Sequence, residues 1–74
     1  MQVYRINTSA WDEENFYVLT TINESEIKSV IAPMVKKERD EDFMYDNDDY
    51  IYELKKAFPR EDIRMYTEIE TITF

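Results

Sequence analysis

Not one of the 74 residues is glycine, and this absence limits what the chain can fold into more than any motif it contains. Glycine ordinarily makes up about 7% of a protein and supplies the backbone wherever φ must be positive or a ligand must come close. Without it, phosphate-cradling loops and dinucleotide-binding turns have no residue to build them, so P-loop and Rossmann architectures are excluded. Tight two-residue primed hairpins are disfavoured for the same reason. The turns should be longer and built on Asn, Asp and Ser.

The elements that fit these limits follow from periodicity. Gln2 to Ile6 alternates with period two, with Tyr4 and Ile6 on one face and Val3 on the other. Asn7 to Asn15 is polar apart from Trp11 and reads as a long loop. Asn15 to Ile22 is the clearest strand: Phe16, Val18, Thr20 and Ile22 share one face, with Tyr17, Leu19 and Thr21 opposite. The two strands are expected to form an antiparallel hairpin.

A helix then begins at Asn23, whose side chain can cap the free amides while Glu26 completes a capping box. Ile27, Val30, Ile31, Met34 and Val35 make one apolar stripe. Pro33 lies inside it and predicts a kink or break near Ser29 to Ala32. Lys36, Lys37, Glu38 and Arg39 read as a solvated helix end, and residues 40–46 as a loop. Asp46 or Asn47 caps a second helix to about Phe58, with Tyr50, Ile51, Leu54, Ala57 and Phe58 inward and Pro59 as its stop. Ile63 to Phe74 reads as a long strand whose facing changes, which calls for a bulge near Glu70. The sum is an α+β fold of order ββααβ, a single domain over residues 1–74 with two helices on one face of a three-stranded, mainly antiparallel sheet.

Composition permits such a core, since 43% of residues are hydrophobic and eleven are aromatic. The core is still small, and chains of this size reach roughly 3–5 kcal/mol of net stability. No cysteine is present, which excludes disulfides and thiolate metal sites and fits a reducing cytoplasm. No signal peptide is legible, and the longest apolar run, Val30 to Val35, is far short of the roughly 20 residues a membrane span needs.

The net charge of −8 is concentrated in one place. Residues 1–39 carry six acids and five bases, and residues 54–74 carry four of each. Between them, Asp40, Glu41, Asp42, Asp46, Asp48, Asp49 and Glu53 supply seven acids without a single base. Phe43, Met44, Tyr45, Tyr50 and Tyr52 are interleaved with them.

Several chemistries are excluded or disfavoured. The chain has neither His nor Cys, so the commonest bases, nucleophiles and metal ligands are missing. A carboxylate pair could serve a glycosidase, but so short a chain can hardly enclose the cleft between two such groups. We therefore expect no enzyme and no cofactor. The run from Asp46 begins like a calcium loop, yet Ile51 and Ala57 stand where an EF-hand needs Gly and Glu, so no metal site is expected. Direct nucleic-acid binding is disfavoured because the largest basic cluster, Lys36, Lys37 and Arg39, adjoins the strongest negative charge.

Binding to a basic protein surface remains. Like charges this dense repel one another, a cost that spreading them out would avoid if solubility were their whole purpose. Tyr and Met are enriched at interface cores, and Tyr45 and Tyr52 need not pack inward. Carboxylates at i and i+4, such as Asp49 and Glu53, stand about 5–6 Å apart at Cβ, comparable to phosphates along a DNA strand. The candidate partner-binding residues are therefore Asp40, Glu41, Asp42, Tyr45, Asp46, Asp48, Asp49, Tyr52 and Glu53.

In composition and in this acidic segment, the chain resembles the small early proteins of bacteriophages, many anti-CRISPR proteins among them. That resemblance implies an antagonist that occupies the nucleic-acid or PAM-reading surface of a host nuclease, acting in the host cytoplasm. The alternative is a structural or assembly protein, a homodimer through its sheet edge, whose acidic segment serves solubility alone.

Overall fold

The computed structural model describes residues 1–8, 16–67 and 72–73. Three strands and two helices follow the expected order: β1 (Gln2–Ile6), β2 (Phe16–Thr20), α1 (Glu24–Glu41), α2 (Asn47–Ala57) and β3 (Ile63–Tyr66). The strands form one antiparallel sheet in the order β1-β2-β3. The α+β architecture read from periodicity is the one observed.

Register fixes which side chains share a face. Tyr4 pairs with Val18 and Ile6 with Phe16, while Val18 pairs with Met65 and Thr20 with Ile63. These residues all point toward the helices. Phe16, Val18, Ile22 and Ile63 are buried there against Ile27, Ile31 and Met34 of α1 and Tyr50, Ile51 and Leu54 of α2. Thr20 is the buried polar residue of this face, and its hydroxyl oxygen accepts the Ile22 N–H at 3.1 Å, which lets the chain turn out of β2. Thr21 anchors the far side: its N–H donates to the Asp62 carbonyl at 3.2 Å and its hydroxyl to the Glu61 carboxylate at 2.6 Å.

Helix α1 begins as expected. The Asn23 side chain accepts the Glu26 N–H at 2.8 Å, and the Glu26 carboxylate accepts the Asn23 N–H at 3.0 Å. The break expected near Ser29 to Ala32 does not occur, and the helix continues through Pro33 to Glu41. Pro33 and Ser29 are both exposed, so the Ser29 carbonyl left without a donor by the proline ring faces water rather than the core.

Four boundaries differ from expectation. Strand β2 ends at Thr20 instead of Ile22, because the Thr20 hydroxyl takes the Ile22 N–H and the chain turns toward α1. Asp40 and Glu41 belong to the last turn of α1 instead of a loop, because the helix stops one residue later at Asp42. Phe58 is half-buried and packs against the core as expected, whereas Ala57, the last residue of α2, is exposed. Strand β3 stops at Tyr66; Glu70 and its expected bulge lie outside the described residues, and Ile72 is exposed. Trp11 and most of the Asn7 to Asn15 loop also lie outside them. Among the described residues, no helix is long and apolar enough to cross a membrane.

Candidate functional site: an acidic edge

The acidic segment occupies the end of α1, the connection to α2 and the first turns of α2. Its path depends on a residue just outside it. The backbone carbonyl of Glu38 accepts the N–H of Asp42 and, at 3.2 Å, that of Phe43. Its carboxylate accepts the Tyr45 N–H at 2.9 Å and the Tyr50 hydroxyl. One side chain thus joins the end of α1, the connection and the interior of α2.

Asp42 closes α1 in the left-handed region, with φ 52° and ψ 54°. Helices usually end this way on glycine, and Asp is among the few other residues that tolerate the conformation. The glycine-free chain therefore places an aspartate where glycine is normally found.

From this turn an aromatic series runs into the core. Phe43 packs edge-on against Tyr45 with ring centres 4.5 Å apart, and Tyr45 packs edge-on against Tyr50 at 5.7 Å. Tyr50 in turn stacks on Phe16 of β2 at 6.0 Å. The Lys37 ammonium lies 5.6 Å from the centre of the Phe43 ring.

Helix α2 starts from Asp46 in extended conformation (φ −80°, ψ 162°), and the Asp49 carboxylate accepts the Asp46 N–H at 2.9 Å. Asp48 and Asp49 fill its first turn and Lys55 and Lys56 its last, as the macrodipole favours.

The candidate residues consequently separate. Asp40, Glu41, Asp42, Asp46, Asp48 and Asp49 are exposed, and Glu53 is half-buried. Tyr52 is 64% exposed, as a partner-facing residue requires, whereas Tyr45 is half-buried and committed to Tyr50 and Phe43. The outward apolar groups beside the acids are instead Phe43, 40% exposed, and Met44, 70% exposed. Neither Met44 nor Glu38 was marked by periodicity. Glu38 reaches partners seven and twelve residues ahead, across a turn whose direction no local pattern encodes.

Charge pairing differs sharply along the chain. Outside the segment, Lys28 meets Glu24 at 3.5 Å and Arg64 meets Asp62 at 3.1 Å. The Arg64 guanidinium is held above its usual value by its hydrogen bond to Asp62 and then by that residue's negative charge. Among the described residues, no base lies within ion-pair distance of the seven carboxylates from Asp40 to Glu53. No cluster of three or more His, Cys, Asp or Glu among those residues could hold a metal ion.

Ionised carboxylates only accept hydrogen bonds. The edge is therefore an array of acceptors with apolar groups at Phe43, Met44 and Tyr52, suited to Lys and Arg donors. No family model matches the chain, and neither a curated protein nor a solved structure matches it.

Proposed function

We propose that the chain is a non-enzymatic inhibitor or adaptor that docks its acidic edge on a basic, nucleic-acid-binding groove of a partner protein. The observation that carries this is the placement of Asp40, Glu41 and Asp42. They gather at the C-terminal end of α1, where the helix dipole is negative, and among the described residues no base pairs with them. Anions there cost stability, typically about 0.3–1 kcal/mol each, so the fold itself gains nothing from their charge. A surface complementary to Lys and Arg does gain.

Phe43, Met44 and Tyr52 add exposed apolar surface to the acidic segment, and Tyr, Phe and Met are enriched at interface centres. The partner class is a nuclease or similar protein whose groove ordinarily holds phosphates, such as a CRISPR effector countered by a phage. On this reading the protein acts in the cytoplasm that contains the nuclease.

The test is inhibition of DNA cleavage by purified CRISPR effector nucleases, with the wild type compared against Asp40→Asn, Glu41→Gln, Asp42→Asn. The wild type should inhibit at least one effector, and inhibition should weaken steeply as salt rises. The triple variant should fold at least as well and inhibit much less. A triple variant that inhibits as strongly as the wild type would remove the proposal.

A further inference from the structure

We infer, resting on the docking proposed above, that Lys37 is a built-in stand-in for a partner's cation. Its ammonium covers the Phe43 ring in the free chain, and an arginine of the docked protein displaces it.

Helix spacing gives Lys37 obvious acids to pair with. Glu41 follows it by four positions and Asp40 by three, the separations at which side chains on one helix meet. Lys28 and Glu24 use that spacing on the same helix and pair at 3.5 Å. Lys37 does not. Among the described residues its ammonium has no carboxylate within ion-pair distance, and it lies 5.6 Å from the centre of the Phe43 ring. Order accounts for part of the contrast: acid before base is the favoured arrangement at i and i+4, and Lys37 precedes its acids. The ring accounts for the rest. An aromatic face is the negative part of the ring quadrupole, and it attracts a cation within about 6 Å of its centre.

The fold fixes the ring for this contact. Asp42 turns the chain in the left-handed region, the Glu38 carbonyl accepts the Phe43 N–H at 3.2 Å, and Tyr45 packs edge-on against Phe43. Phe43 still keeps 40% of its surface exposed. It follows directly on Asp40, Glu41 and Asp42, which are exposed and have no base within ion-pair distance among the described residues. A ring held beside free carboxylates receives cations, and the chain's own lysine marks where one sits.

Arginine suits this place better than lysine. Its guanidinium is more weakly hydrated, stacks flat on aromatic faces and still offers N–H groups to nearby carboxylates. Lys37 is a compact, strongly hydrated ammonium on an exposed and flexible stem, which makes it easy to exchange. It therefore covers the ring in the free protein and lowers affinity for an arginine-bearing partner.

Calorimetric titration with a hexa-arginine peptide tests this. Lys37→Ala should bind the peptide about threefold tighter than the wild type, the size implied by an exposed cation–π contact. Lys36→Ala is the control. It also removes one positive charge four positions before an acid, but among the described residues no ring lies within reach of Lys36. Its gain should be clearly smaller, and in a Phe43→Leu background the two gains should become equal. Nuclear magnetic resonance of the unmutated chain gives a second readout if Phe43→Leu disturbs the turn. The Lys37 protons next to the ammonium should lose their ring-current shift as peptide is added. Equal gains at 36 and 37 with Phe43 present, or a ring-current shift that persists at saturation, overturn the role of Lys37 alone. A peptide that binds neither the wild type nor any variant overturns the docking reading as well.

Discussion

Two acidic clusters lie a few residues apart and stand in opposite relations to their helices. Asp46, Asp48 and Asp49 open α2, where free N–H groups and the positive end of the dipole welcome them. Asp40, Glu41 and Asp42 close α1, where free carbonyls and the negative end of the dipole repel them. The first cluster has a sufficient explanation in folding. The charge of the second has none, although Asp42 also serves the left-handed turn that ends α1, and this difference separates two sets of acids that a total charge treats alike.

The largest effect is expected where the two clusters are joined. Glu38→Ala leaves the buried Tyr50 hydroxyl and the Tyr45 N–H without their acceptor and should cost about 2–3 kcal/mol in urea unfolding. A cost below about 0.5 kcal/mol would mean that Glu38 does not hold the helix ends together. Next, Asp46→Ala with Asp49→Ala should cost about 1–2 kcal/mol, measured by thermal melting, since it removes the start of α2 and two favourable charges.

The opposite sign is expected for Asp40→Asn, Glu41→Gln, Asp42→Asn, which should stabilise the chain by about 1 kcal/mol in the same melt. Destabilisation there would erase the distinction between the clusters. Smallest is the salt effect. Raising sodium chloride should stabilise the wild type by a few tenths of a kcal/mol, and the triple variant less, because screening relieves repulsion that the variant no longer has.

Local rules made much of this fold legible. The Asn23 and Glu26 box, the alternation of Phe16, Val18 and Thr20, and the stop before Pro59 depend on neighbouring residues, and all are present. Pro33 misled because its effect depends on which side of α1 faces water, a property of tertiary packing. Nothing local marks Asp42 as the left-handed end of α1, so the pattern alone does not carry the helix through Asp40 and Glu41. Tyr45 had no signal separating it from Tyr52, since its burial depends on Glu38 turning the chain back onto Tyr50. The acidic edge was visible as composition; its division into two unlike halves required the helix ends.

The hold of Glu38 and the Phe43–Tyr45–Tyr50 series has a kinetic consequence. Under the proposed docking, a connection already fixed before encounter would lose little conformational entropy, and a partner would meet a finished surface. With long-range attraction between unlike charges, such a surface associates at rates set by diffusion and steering instead of by loop rearrangement. Loosening the hold at Glu38 would then slow capture even with every carboxylate in place.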